Sequence, residues 1–159
     1  LTGPEGIRQV PIQEFYTGPG KTVRRHEEVM TAIRIRRRDY EGYTGCYIKY
    51  GKRNAMEIAT LGCACLVKLS WDKKVVEDMR IAYGVAAPTP VRCPETEKAV
   101  SGQAVSKALL LQTGKGVLNE VNPRTSWRAS KEFRLQLVEE LAKRAMAQAI
   151  RNGGGEVDA

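Results

Sequence analysis

The chain has 159 residues, enough for one domain with a real core or for one domain plus a remnant of another. Hydrophobic residues make up 42% and charged residues 28%, which excludes disorder throughout, and no run of about 18 apolar residues exists to form a membrane-spanning helix. The net charge is +8, but the excess is local: residues 21–53 hold ten Lys/Arg against four acids. A local anion site, a subunit interface and a polynucleotide groove all fit such a region.

Residues 1–18 are rich in Gly and Pro. The opening Leu1-Thr2-Gly3-Pro4-Glu5-Gly6 has neither signal-peptide nor transit-peptide character, and without an initiator Met the chain reads as a piece of something larger. The alternation from Arg8 to Ile12 predicts a strand end, with a turn at Gln13–Tyr16. Residues 17–22 predict a loop, and the domain boundary is expected there, after residue 18. Residues 27–35 alternate, with Val29, Thr31, Ile33 and Ile35 on one face, and predict a strand. Arg36-Arg37-Arg38-Asp39 then ends it in solvent. Residues 42–53 mix Tyr43, Tyr47 and Tyr50 with Gly42, Gly45 and Gly51, which argues for a loop or a broken strand.

Residues 58–70 alternate again, with Ala59, Leu61, Cys63, Cys65, Val67 and Leu69 on one face. Residues 75–84 form a partner, with Val75, Met79, Ile81 and Tyr83 inward, and the polar turn Ser70–Lys74 joins the two as a hairpin. Pro88, Pro90 and Pro94 break the chain. A short helix is expected over 95–101 and a looser helical pattern over 103–121, interrupted by Gly114 and Gly116. The clearest helix covers 130–151, where Phe133, Leu137, Leu141, Ala145 and Ala149 repeat every four residues, Ser130 caps the start and Gly153-Gly154-Gly155 ends it. The tail, 153–159, is expected to fray. The elements predict an α+β fold: a three-stranded antiparallel sheet packed against a C-terminal helical layer.

Isolated chemistry is sparse. Gly18-Pro19-Gly20-Lys21-Thr22 ends like a phosphate-binding loop, but Phe15 stands where that loop needs Gly, and a strand is expected where it needs a helix. Cys46, Cys63, Cys65 and Cys93 have no zinc or iron–sulfur spacing, and read as buried reduced thiols of a reducing, intracellular compartment. His26, the single histidine, supports no catalytic triad and is expected to be exposed. The residues alone give no catalytic constellation.

Five ordered segments carry a family resemblance. Phe15-Tyr16-Thr17-Gly18-Pro19-Gly20-Lys21-Thr22 resembles a dFf-G-x-x-K-T loop. Glu27 to Ile35 resembles p-x-E-[IL]-[IL]-x-x-I-x-[IV]-P, with Arg36 in place of the final Pro. Tyr47 to Ala59 resembles Y-x-K-x-x-x-R-x-A-x-D-I-A, and Tyr83 to Arg92 resembles G-G-V-A-P-T-P-x-R-A. Ser126-Trp127-Arg128-Ala129-Ser130-Lys131-Glu132-Phe133-Arg134 resembles S-x-x-Y-R at the head of the last helix. This order is similar to that of the FAD-binding (flavoprotein) subunits of molybdenum hydroxylases, nearest to the bacterial xanthine dehydrogenase type.

The resemblance implies the C-terminal domain of such a subunit, the CO dehydrogenase flavoprotein C-terminal domain, over 19–152. Residues 1–18 would be a remnant of the preceding FAD-binding lobe. It implies an oxidoreductase subunit, cytoplasmic, inactive by itself, with FAD bound mainly by residues outside this chain. The molybdenum cofactor and [2Fe–2S] clusters are expected on partner chains. The implied partners are a molybdenum-binding subunit, an iron–sulfur subunit and the N-terminal part of the same FAD subunit; no membrane and no nucleic acid are expected. Two family cofactor contacts map here: Met30, at a position usually aliphatic, and Lys49, whose fixed cation would stabilise negative charge on the reduced flavin or its pyrophosphate. Catalytic and metal-binding residues are not expected. The rival readings are a basic nucleic-acid-binding module and a structural cap without cofactor contact.

Overall fold

The computed structural model describes residues 1–53 and 55–157. Asn54, inside the Tyr47–Ala59 segment, and residues 158–159 of the expected tail lie outside the described residues. The chain divides into two compact units, Leu1–Glu41 and Gly42–Ala159.

The first unit is built from short pieces. Strands β1 (Thr2–Gly3) and β2 (Gly6–Ile7) form a hairpin. One helical turn, α1 (Ile12–Phe15), leads into the hairpin of β3 (Tyr16–Gly18) and β4 (Lys21–Thr22). Where a domain boundary was expected after residue 18, the chain makes the tip of this hairpin, inside the first unit; Gly20 supplies its positive φ of 69°. No helix follows Lys21, so the segment is a turn and lacks the strand–loop–helix plan of a phosphate loop. The strand expected over 27–35 does not form. Val29 makes a single bridge to Thr2, and residues 30–36 belong to no strand. What holds this unit is polar. Arg8 grips the buried Glu28 through Nε at 2.6 Å and through a terminal nitrogen at 2.8 Å, and the Arg25 amide donates to the same carboxylate at 2.7 Å.

The second unit contains the core. Strands β5 (Thr44–Tyr50), β6 (Leu61–Leu69), β7 (Val75–Gly84) and β8 (Val91–Arg92) are antiparallel neighbours in that order. Helix α2 (Pro94–Val100) follows, then β9 (Gln103–Ala104), which pairs with β7. The sheet therefore has five strands, not three, and its edge is the Tyr/Gly segment expected to be a loop or a broken strand. Gly45 is suited to that edge, because a Cβ there would stand 2.5 Å from the Leu66 side chain. Helix α4 (Lys131–Asn152) covers the inner face over β5 and β6, α2 packs against β7, and α3 (Lys107–Gly116) packs on α4. Leu61, Cys63, Cys65 and Val67 of β6 meet Met79, Ile81 and Tyr83 of β7 beneath Leu137, Val138, Leu141, Ala145 and Met146. A register shift after Lys68 places Leu69 opposite Val76, so Val76 and not Val75 is buried.

Buried hydrogen bonds fix α4 on the sheet: the Tyr83 hydroxyl donates to the Val138 carbonyl at 3.0 Å, and Thr44 Oγ1 to the Ala149 carbonyl at 2.9 Å. Gly114 lets α3 approach α4, since its Cβ would lie 3.0 Å from the Glu139 carbonyl. Ser130 Oγ caps α4 by accepting from the Phe133 amide at 3.2 Å. The expected fraying does not begin at Gly153: Gly155 is buried and Val157 packs against the core. Among the described residues, no helix is long and apolar enough to cross a membrane.

Candidate functional site

Lys49 stands next to last in β5. Along that strand Cys46 and Ile48 face the helices, paired with Cys65 and Cys63, so Tyr47 and Lys49 project from the opposite, outer face. Lys49 is exposed and has no hydrogen bond or ion pair among the described residues.

The strands beside it carry almost no side chain on that face. Lys49 is opposite Gly62, and Gly62 is opposite Gly84; Ala64 and Ala82 form the next row. A Cβ on Gly62 would come 2.8 Å from the Tyr47 hydroxyl, so the tyrosine lies across this glycine. A Cβ on Gly84 would meet nothing within 4 Å. The result is a flat, open floor with a cation at one side and a phenol ring over part of it. Such a surface has room for a planar ring, and the Lys49 cation would stabilise negative charge on it, so the residues fit a reduced flavin. The loop after β5 is held by Glu57, whose carboxylate accepts the Arg53 amide at 2.6 Å.

Met30 belongs to the first unit. It is half-exposed and lines an open depression of about 340 Å³ with Phe15, Thr22, Arg24, Glu28 and Val29. The Met30 thioether and the Phe15 ring give the depression soft, apolar side chains.

Tyr47, Gly62 and Gly84 were not singled out in the sequence. The available signal was glycine inside two strands, which marks close approach by another group. The basic stretch 21–53 is shared between the two units, and several of its cations are already matched: Arg25 with Glu5, Arg36 with Asp39 and Arg37 with Glu41. His26 is exposed. All four cysteines are free; Cys63, Cys65 and Cys93 are buried, and burial pushes the Cys63 and Cys93 thiols up to about 12. Among the described residues no cluster of His, Cys, Asp and Glu could hold a metal ion.

Residues 46–149 match the family described as CO dehydrogenase flavoprotein C-terminal domain. The chain is 40% identical over 157 residues to the xanthine dehydrogenase FAD-binding subunit of Escherichia coli O157:H7, covering 99% of this chain and 53% of that protein. It is 30% identical over 148 residues to the glyceraldehyde dehydrogenase medium chain of Sulfolobus acidocaldarius, covering 93% of this chain and 51% of that one. Among solved structures, CO dehydrogenase from Hydrogenophaga pseudoflava superposes with a TM-score of 0.81 at 26% identity, over 95% of this chain and 51% of that chain. The chain spans about half the length of the curated relatives it matches. None of these comparisons supports a nucleic-acid-binding module.

Proposed function

Because this chain belongs to the CO dehydrogenase flavoprotein C-terminal domain family, we propose that it is the C-terminal part of the FAD-binding subunit of a xanthine-dehydrogenase-like molybdenum hydroxylase. The observation that carries this reading is the 40% identity to the Escherichia coli FAD-binding subunit, sustained over 99% of the chain. In this reading the N-terminal part of the same subunit supplies most of the FAD site, and this chain alone is inactive. A molybdenum-binding subunit and an iron–sulfur subunit carry the other redox groups. Bound FAD supplies the two-electron relay between the iron–sulfur clusters and NAD or another acceptor.

The chain's own residues act on charge and fit. Lys49 holds a fixed positive charge beside the floor formed by Gly62 and Gly84. Tyr47 covers one part of that floor and limits where a ring can lie. Met30, in a depression within the first unit, is by the family resemblance a second, apolar cofactor contact. A lysine on an exposed surface pair is worth at most about 1 kcal/mol. A desolvated contact to a charged group is worth more, roughly 1.5–3 kcal/mol, which is about tenfold or more in affinity.

The test uses the full-length subunit assembled with its partners. Lys49→Ala should lower flavin retention or shift the flavin potential, while substrate-driven reduction at the molybdenum site is unchanged. A variant with full flavin content, an unchanged potential and normal acceptor turnover would return Lys49 to an ordinary surface lysine. A wild-type complex without flavin absorbance would refute the reading as a whole.

A further inference from the structure

The segment that leads into α4 carries arginines that no ion pair among the described residues balances. Arg134 is 2% exposed. Its guanidinium turns back into the preceding loop, donating to the Arg124 carbonyl and, at 2.8 Å, to Ser126 Oγ, while its Nε has no hydrogen-bond partner. Burial lowers its pKa from the ordinary guanidinium value, and the charges of Arg124 and Arg128 push the same way. Several arginines elsewhere are matched to carboxylates, Arg8 to Glu28, Arg36 to Asp39, Arg92 to Glu97 and Arg144 to Glu140 among them. Arg124, Arg128 and Arg134 have no such partner among the described residues.

The same loop presents an aromatic anchor. Trp127 is 81% exposed, and the Arg128 guanidinium lies over its ring, 4.3 Å from the centroid. The helix start adds no free amide of note, because Lys131 N donates to Thr125 Oγ1 and Phe133 N to Ser130 Oγ. The charge is therefore carried by guanidinium groups.

We propose that the loop of residues 123–130 is a docking surface for a carboxylate-rich face of another subunit of the same enzyme, with Trp127 and Arg128 as its anchor. A buried guanidinium without a counter-charge is costly, and a buried donor without a partner calls for an explanation. Carboxylates arriving over Arg124 and Arg128 supply the missing charge from outside. Arginine's planar fork suits carboxylates, and Trp and Arg are the residue types that dominate interface energetics. A polynucleotide fits less well, because it would stack bases on an open ring and Arg128 already occupies one face of Trp127. The proposal rests on the functional reading above; relatives are named as a subunit or a medium chain of larger enzymes.

The experiment compares the full-length subunit, in association with its partner subunits, with two double variants of equal charge change. Arg124→Glu with Arg128→Glu should weaken association by about tenfold or more and flatten its salt dependence. Lys98→Glu with Lys107→Glu, on exposed positions of α2 and α3, should stay within about twofold of wild type. Trp127→Ala should weaken association by a similar factor. Unchanged association of the arginine variant, an equal loss in both double variants, or unchanged association of Trp127→Ala would each overturn the proposal. So would salt-dependent oligonucleotide binding that only the arginine variant loses while subunit association stays intact. Flavin content is read in the same samples: wild-type complex without flavin refutes the functional reading, whereas normal flavin with unchanged association refutes only the docking surface.

Discussion

Replacing Leu141 with alanine tests the packing of α4 on the sheet. Leu141 is 3% exposed and belongs to the cluster that includes Leu61, Val67, Ile81 and Tyr83. The substitution removes three carbons; at about 0.8 kcal/mol per buried CH₂, the transfer cost is roughly 2.4 kcal/mol. The helix has little freedom to settle into the hole, because the Tyr83 hydroxyl and Thr44 Oγ1 hold the Val138 and Ala149 carbonyls on either side of it. A residual cavity should therefore raise the cost to about 3–4 kcal/mol, inside the range of about 2–5 known for buried leucines. At about 2–4 °C per kcal/mol for a chain of this size, Tm should fall by roughly 6–16 °C. Phe133→Ala is the internal comparison. Phe133 sits on the same four-residue repeat but is 40% exposed, and its ring meets Tyr50 edge-on with centroids 6.0 Å apart. Its truncation should cost clearly less than that of Leu141. Urea melts of both variants decide the matter, and a near-neutral Leu141 variant, or a larger loss at Phe133, would refute this account of the helix face.

Two further predictions concern titration. Burial raises the Cys63 and Cys93 thiols from 9.0 to about 12 and Cys65 well above the ordinary value, so unfolded chains lose these protons first. Stability should be complete below pH 9 and decline as pH rises toward 12, and Ellman's reagent at pH 8 should leave these three thiols unreacted until urea unfolds the chain. Hydrogen bonds from the Arg8 side chain and the Arg25 amide hold Glu28 down at about 2, against 4.5 ordinarily. The first unit should keep its structure at pH 5 and lose it as pH falls from 4.5 through 2, seen as faster exchange of the paired Thr2 and Val29 amides; Glu28→Gln should abolish that acid limb.

The helices and the central hairpin were legible because their periodicity reports burial directly. Alternation at Leu61, Cys63, Cys65 and Val67 and the repeat Leu137, Leu141, Ala145 each mark a face that the core covers. Alternation alone does not report pairing. Val29, Thr31, Ile33 and Ile35 alternate as cleanly, yet Val29 makes one bridge and no ladder follows. In the opposite direction, the glycines of 42–53 argue for a loop or a broken strand, yet Thr44–Tyr50 is one continuous strand in which Gly45 makes room for Leu66. The register shift after Lys68 has no sequence mark, so Val75 and Val76 exchanged roles. Phe133 was placed in the stripe by spacing, whereas Arg134 is the buried residue, because hydrogen bonds to Arg124 and Ser126 draw its guanidinium under the loop. Met30 and Lys49 were named only through family resemblance; nothing in an exposed lysine on a Tyr-rich strand identifies a ligand.

The outer floor of the sheet adds a physical argument for that site. Glycine within a strand loses more conformational freedom on folding than alanine and costs roughly 0.5–1 kcal/mol. Gly62 is explained inside the chain, because Tyr47 lies across it. Gly84 is not: its backbone does not have positive φ, and a Cβ there would meet nothing within 4 Å. A residue that costs stability and serves no internal contact points to a group approaching from outside. Gly84→Ala should therefore leave the stability of the chain unchanged or raise it by about 0.4–1 kcal/mol. In the assembled full-length subunit the added methyl projects onto the floor next to Gly62 and the Lys49 row, and flavin retention should fall while folding is intact. Thermal melts of the chain and flavin-to-protein ratios of the assembled subunit separate the two effects. Full flavin content in a normally folded Gly84→Ala subunit would show that no ring lies against this part of the sheet.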